Sequence, residues 1–139
     1  RAVRLDGADL TDSLLDRSDL TATTLDDATL RSSSLTGAKL TRASLGDTDL
    51  RSADLVGAVL YWTDFSNADL SGANLSNANL ACSNLSNANL AGVNLFRAML
   101  YKANLDGARA SADTVWPEGF DRSRAGVRGR RYGYYGDGS

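Results

Sequence analysis

The sequence predicts an all-β solenoid, in which the chain winds into about five stacked coils, and two regularities support this fold class. A leucine falls on every fifth residue from Leu5 to Leu105, and the only replacement in this series is Phe65. The residue two places before each of these positions is usually small, most often alanine, as at Ala68 and Ala73. No single repeat of this kind can bury its own apolar side, so the repeats are expected to stack.

A period of five fits neither a helix nor a flat strand. On an α-helix, five steps turn the chain through roughly 500°, so successive leucines would spread around the axis. On a flat strand, an odd period sends alternate leucines to opposite faces. The backbone must therefore bend once in every pentapeptide to keep the leucines on one inner surface, and the repeated bend closes it into a coil.

The most regular stretch reads ADLSGANLSNANL from Ala68 to Leu80. It resembles the pentapeptide repeat family, whose pattern is A-(D/N)-L-x-x. The resemblance implies a right-handed quadrilateral β-helix with four pentapeptides per coil, in which the leucine and the small residue point inward. Residues twenty apart are then vertical neighbours at the ordinary strand spacing of about 4.8 Å.

The chain divides into three segments by pattern. Residues 1–109 form the predicted pentapeptide-repeat β-helix, and residues 110–127 form a predicted C-terminal cap, in which Trp116 and Phe120 cover the last coil. Within the cap, the positions of proline and glycine predict a type I turn over Trp116–Gly119, and Asp121 is expected to cap a short helical piece. Residues 128–139, rich in Gly, Arg and Tyr, are expected to be a mobile tail.

Composition argues against an enzyme. The chain has no histidine, no glycine-rich phosphate loop and a single cysteine, Cys82, without an activating base. We therefore expect no catalytic residue, no cofactor, no metal and no small-molecule substrate. The lone cysteine favours a cytoplasmic protein, and no apolar run is long enough to span a membrane.

One predicted face of the coil is acidic. The residues that we call the acidic face are Asp6, Asp26, Asp27, Asp47 and Asp64. Between Val3 and Ala108 the chain has thirteen acidic and eight basic residues, a net charge of −5. Some members of the family that the repeats resemble are acidic rods that mimic DNA and bind gyrase, which makes a topoisomerase-binding mimic one alternative function. Arg31, Arg51, Lys39 and Arg42 interrupt the negative field, so this is the weaker alternative.

A second face gathers large apolar side chains that are far apart in sequence. The residues that we call the aromatic patch are Tyr61, Trp62, Phe96, Met99 and Tyr101. An exposed cluster of this kind usually marks a protein contact. The leading hypothesis is therefore a non-enzymatic protein-interaction scaffold, with another protein or a second copy of the chain as partner and no direct binding of nucleic acid. A rigid spacer in a longer polypeptide is the remaining alternative, suggested by a chain that starts inside the pattern at Arg1.

Overall fold

A computed structural model describes residues 2–128, and within them the regular structure consists of parallel β-bridges that are each one residue long. No α-helix and no longer strand occurs in that range. The bridges join residues twenty apart, from Arg4↔Thr24 to Asn89↔Arg109. The N–H of Leu5 donates to the carbonyl of Thr24 at 2.7 Å, and the N–H of Thr24 donates to the carbonyl of Val3 at 2.9 Å.

Because this ladder repeats at every pentapeptide, four pentapeptides make one coil of the solenoid. The predicted stacking of residues twenty apart is confirmed. The right-handed sense of the coil remains a prediction from the family resemblance.

Every corner of the coil is a four-residue turn that begins at the leucine. In the repeat after Leu70, for example, the N–H of Ala73 donates to the carbonyl of Leu70 at 2.9 Å. The third residue of each turn has a positive φ, between 56° and 75°, from Gly7 through Gly107, as in a type II turn. Fifteen of these corner residues are not glycine, although a positive φ is sterically costly for other residues. The ladder between coils therefore imposes the corner conformation.

The inner shaft contains the leucines and the small residues. Leucines in the middle of the coil, such as Leu50 and Leu75, are fully buried, and Phe65 takes the place of a leucine in the shaft without exposure. Small inward residues such as Ala58 and Ala78 are also fully buried. The leucines of the first coil are only partly buried, because a neighbouring coil covers them on one side only.

Asparagine before the leucine has a defined backbone role. The side-chain oxygen of Asn74 accepts a hydrogen bond from the N–H of Ser76 at 3.0 Å, and the same bond recurs in four further repeats. Asn and Asp commonly form such bonds at turns. The five asparagines that make this bond are Asn74, Asn79, Asn84, Asn89 and Asn94.

Inward hydroxyl groups mostly donate to carbonyls of the coil. Ser33 Oγ donates to the Leu30 carbonyl at 2.6 Å, and Thr63 Oγ1 donates to the Leu40 carbonyl at 2.7 Å. Ser83 differs from these residues, since its Oγ is fully buried and has no hydrogen-bond partner in residues 2–128. Ala43 and Ala103 occupy the same column as Ser83, so the shaft accepts a methyl group there.

We expect Ser83→Ala to stabilise the protein by about 1 kcal/mol, because it removes a buried hydroxyl that has lost its water and gained no partner. The matched control is Ser33→Ala, which deletes a satisfied hydroxyl and should destabilise by about 1 kcal/mol. Urea unfolding of both variants measures whether each substitution raises or lowers the free energy of unfolding. A Ser83→Ala variant that is less stable than the parent would contradict the assignment.

The ladder continues past Arg109 with one extra residue. The bridge Asn94↔Val115 spans twenty-one positions, and Thr114 Oγ1 donates to the Leu90 carbonyl at 2.7 Å, as Thr63 does to Leu40 in an earlier coil. Trp116 therefore takes the position that a leucine holds in the regular repeats. Its ring stacks on Phe120, with centroids 5.3 Å apart, and both pack against the core. Their role as an end cap remains a prediction.

Two details of the predicted cap are wrong. The hydrogen-bonded turn runs over Pro117–Phe120 and not Trp116–Gly119, since the N–H of Phe120 donates to the Pro117 carbonyl at 3.2 Å. Gly119 is the third residue of this turn and has φ of +78°, which suits type II rather than type I.

Asp121 does accept the N–H of Arg124 at 3.3 Å, as a helix cap would. However, residues 122–126 make turns only, because Gly126 adopts a positive φ of +81° and ends the segment.

The last bridge within residues 2–128 is Arg109↔Arg128, in which the N–H of Arg128 donates to the Ala108 carbonyl at 2.6 Å. The rest of the predicted mobile tail, residues 129–139, lies outside the described residues.

Candidate protein-interaction surface

The aromatic patch spans three successive coils on one side of the solenoid. The N–H of Trp62 donates to the Ala81 carbonyl at 3.1 Å, and the N–H of Cys82 donates to the Tyr101 carbonyl at 2.8 Å. Tyr61, Ala81 and Tyr101 therefore lie on the same wall, as the sequence predicts. The bridge Asn79↔Met99 and the bond from the Asn77 N–H to the Phe96 carbonyl extend this alignment to Met99 and Phe96.

All five side chains of the patch are exposed, from 40% for Tyr61 to 70% for Tyr101. Tyr61 and Trp62 form an edge-to-face pair with ring centroids 5.9 Å apart. Phe96, Met99 and Tyr101 lie two coil steps away, about 10 Å at the normal strand spacing. The coil between them has short side chains at the equivalent positions, among them Ala81 and Cys82. The patch is thus two rows of large side chains with a lower row between them.

Three cations lie over the aromatic rings of the patch. The distance from the cationic group to the ring centroid is 5.6 Å for Arg42 over Trp62, 5.2 Å for Arg97 over Phe96 and 5.5 Å for Lys102 over Tyr101. The sequence analysis did not predict that cations would lie over these rings. The signal was present, because Arg42 precedes Trp62 by one coil of twenty residues and the other two cations follow their aromatic residues directly.

The acidic face is less available than its sequence suggests. Asp6 Oδ1 accepts the N–H of Asp26 at 3.0 Å, and Asp26 Oδ1 accepts the N–H of Gly46 at 2.8 Å. Asp64 Oδ1 accepts the N–H of Ser66 at 2.9 Å within its own turn. These three carboxylates therefore bind the backbone of the coil, while Asp27 and Asp47 are exposed corner residues.

A further wall carries a compact ion-pair cluster around Asp49. Its Oδ2 accepts Arg31 Nη2 at 2.9 Å and Arg51 Nη2 at 2.8 Å, and its Oδ1 accepts Arg51 Nε at 2.9 Å. The Arg51 hydrogen bond, followed by that of Arg31, holds the pKa of Asp49 well below its usual range. Arg51 Nε also lies 3.9 Å from Asp69 Oδ2, so two carboxylates balance the two arginines on this wall.

The low pKa of Asp49 predicts a pH dependence. Its ionised form is stabilised in the native state, so that stability is complete above the unfolded-state pKa of about 4 and is lost as the pH falls towards the lower native pKa. We expect Asp49→Asn to cost about 1 kcal/mol at pH 7. The difference from the parent should shrink below about pH 4. Urea unfolding at pH 7, 5, 4 and 3 measures it, and a difference that grows on acidification would contradict the assignment.

Within residues 2–128, no group of three or more His, Cys, Asp or Glu side chains is arranged to hold a metal ion. The same part of the chain contains no helix long and apolar enough to cross a membrane.

A four-cornered coil with a leucine shaft and flat bridged walls defines a β-helix solenoid. The family model for pentapeptide repeats matches residues 4–42, 33–72, 43–81 and 73–109, with eight copies. The chain belongs to the pentapeptide repeat family, whose members form right-handed quadrilateral β-helices. None of the curated proteins compared with the chain matches it.

Several solved structures are similar. The pentapeptide repeat protein Rfr23 from the cyanobacterium Cyanothece 51142 is 38% identical, with a TM-score of 0.46; the match covers 70% of this chain and 63% of that protein. A pentapeptide repeat protein of the Arabidopsis thaliana thylakoid lumen is 28% identical, with a TM-score of 0.39 and coverage of 78% and 64%. The plasmid-mediated fluoroquinolone resistance protein QnrB1 is 16% identical, with a TM-score of 0.48 and coverage of 94% and 90%.

Proposed function

We propose that this chain is a non-enzymatic scaffold that binds another protein through the aromatic patch on one flat wall of a right-handed quadrilateral β-helix. The observation that carries this proposal is that five exposed large side chains, contributed by two coils with one coil between them, lie on one wall and at its adjoining corner. Tyr, Trp, Phe and Met are enriched in the cores of protein interfaces. We also propose that the protein is located in the cytoplasm.

The wall is suited to binding because it is rigid. Its backbone groups are used in the ladder between coils, so a partner meets side chains that project from a backbone that is already ordered. Little conformational entropy is lost when such a surface binds, which favours affinity.

The test compares proteins captured by the parent with those captured by Trp62→Ser/Tyr101→Ser. Both residues are exposed, so the double variant should keep its fold, which circular dichroism checks. We expect a discrete protein to be captured by the parent and lost with this variant. Asp27→Asn/Asp47→Asn is the matched control on a different wall and should retain it. Identical capture by all three proteins would exclude the patch as the binding site.

A second copy of the chain is the simplest partner to examine. Sedimentation of the parent and of Trp62→Ser/Tyr101→Ser over a range of concentrations shows whether the chain associates with itself through the patch. A parent that remains monomeric at high concentration removes the homodimer.

The DNA-mimic alternative has less support from the side-chain contacts. Asp6, Asp26 and Asp64 direct carboxylate oxygens to backbone N–H groups, and Asp49 is shared by two arginines. A mimic must present an extended negative field in order to compete with phosphate. A gyrase supercoiling assay tests it, and the scaffold proposal expects no inhibition at micromolar protein.

A further inference from the structure

We infer that the partner of the aromatic patch is an acidic segment of another protein, one that presents carboxylates next to apolar side chains. This inference rests on the proposed function and specifies the chemistry of its partner. It starts from the three cations that lie over the rings.

Within residues 2–128, Arg42, Arg97 and Lys102 form no ion pair with a carboxylate. The ion pairs within residues 2–128 are Arg4–Asp6, Arg31–Asp49, Arg51–Asp49 and Arg51–Asp69. None of them involves a cation of the patch, and no side-chain hydrogen bond of these three cations is present in that range either. Their positive charge is therefore available to a ligand.

The wall around them also lacks acidic residues. Each patch residue has vertical neighbours at intervals of twenty residues. Within the repeats, the acidic residues among these neighbours are Asp16 and Asp19, and both lie in the first coil. The backbone of Asp19 forms a bridge with that of Lys39 in the next coil, and the positive charge of Lys39 favours the ionised Asp19 carboxylate. From the second coil to the fifth, this wall therefore combines aromatic side chains with positive charge alone, although the repeats as a whole are negative.

This charge pattern disfavours symmetric pairing of two copies through the patch. A two-fold interface places the same surface on both sides, so the positive charges of Arg42, Arg97 and Lys102 would face the equally positive patch of the second copy. Like charges placed against each other across an interface cost several kcal/mol.

The acidic face of a second copy is also a poor match. The side chains next to its aspartates along the same columns are glycine, serine and asparagine, such as Gly46, Ser66 and Asn67. It has carboxylates but no large apolar group to bury against the rings.

Nucleic acid fits less well than an acidic protein segment. Binding of single strands depends on bases that stack on open aromatic faces. A cation already covers one face of the rings of Trp62, Phe96 and Tyr101. In addition, the net negative charge of the repeats repels an extended polyanion at long range. A short segment that alternates carboxylates with apolar groups needs no base stacking and carries fewer negative charges, and the low row at Ala81 and Cys82 offers a place to lay it between the two rows of large side chains.

The test uses a 12-residue peptide in which glutamate and leucine alternate, and a matched peptide with glutamine in place of glutamate. Each is titrated into the 15N-labelled full chain while amide shifts are recorded. We expect the glutamate peptide to shift amides at residues 59–62, 79–82 and 96–102, and to bind at least tenfold more tightly than the glutamine peptide. Raising the salt concentration from 50 to 500 mM should weaken binding of the glutamate peptide at least fivefold, because exposed charges are screened.

Arg42→Gln/Lys102→Gln should weaken the glutamate peptide at least tenfold. Arg31→Gln/Arg51→Gln, which removes two arginines from a different wall, should leave its affinity unchanged. The comparison of the two peptides on the parent needs no variant, so it decides the question even if a variant unfolds.

In the titrations and in sedimentation, four outcomes would overturn the inference. These are equal binding of the two peptides, shifts confined to another wall, tighter binding of a twelve-nucleotide thymidine strand, and self-association that is lost in Arg42→Gln/Lys102→Gln. A cellular partner that depends on Trp62 and Tyr101 but not on Arg42, Lys102 or salt would leave the scaffold proposal intact and refute its acidic partner. Tight binding of the glutamate peptide at the patch, without any cellular partner, would support the acidic ligand and refute the scaffold proposal.

Discussion

Leu75→Asp is expected to unfold the coil. Leu75 is fully buried in the shaft, with leucines of the neighbouring coils above and below it. A carboxylate there has neither water nor a cation, and the substitution also leaves a cavity. Together these effects should cost at least about 5 kcal/mol, which is comparable with the whole stability of a typical domain.

Circular dichroism and urea unfolding of the purified variant measure this loss. The matched control is Leu75→Met, which keeps the volume and apolar character of the side chain and should cost less than about 1.5 kcal/mol. A cooperative, folded Leu75→Asp protein of near-parental stability would show that this position does not face the shaft.

Ala58→Leu is expected to have the second largest effect, a loss of about 3 kcal/mol from overpacking. Ala58 is fully buried between Ala38 and Ala78 of the adjacent coils. The shaft cannot widen to accept three more carbon atoms, because the N–H of Val59 is bound to the Ala38 carbonyl at 2.9 Å and the N–H of Asn79 to the Ala58 carbonyl at 3.0 Å. A larger side chain must therefore break ladder bonds or leave its preferred rotamer.

Ser76→Leu is the control for Ala58→Leu, because it adds a similar side chain at an outward position. Val56 and Phe96 occupy the same column one coil to either side, so a large group is accommodated there. The stability of this variant should lie within about 0.5 kcal/mol of the parent. Equal losses in the two variants, measured by urea unfolding, would mean that size alone and not the inward direction determines the cost.

The spacing of the leucines was enough to predict most of the fold. Once four pentapeptides make a coil, simple arithmetic identifies the vertical neighbours of every residue, and Tyr61 and Tyr101 are found on one wall as expected. The turn bonds of Asn74 and its equivalents were also predictable, because they depend on residues two positions apart.

The end of the coil was harder to predict, because it departs from the period. One extra residue before Val115 shifts the register, and Trp116 replaces the leucine that would have marked the inward position. The turn at Pro117 was misplaced by one residue, because the positive φ of Gly119 fixes it as the third residue of the turn. The cations over the patch were missed for another reason. Their charges were counted along the chain, whereas the position of Arg42 over Trp62 depends on side-chain direction at a corner.

The corners have a consequence for how such a protein changes over evolutionary time. The same left-handed corner is occupied by residues as different as Trp62, Cys82, Arg97 and Asn67, because the surrounding ladder and not the corner side chain determines the backbone. A substitution at a corner therefore alters what the wall displays while the leucine shaft and its stability are largely preserved. Recognition and foldability are encoded by separate residues of each pentapeptide, so one rod can acquire new binding specificities by point mutation alone.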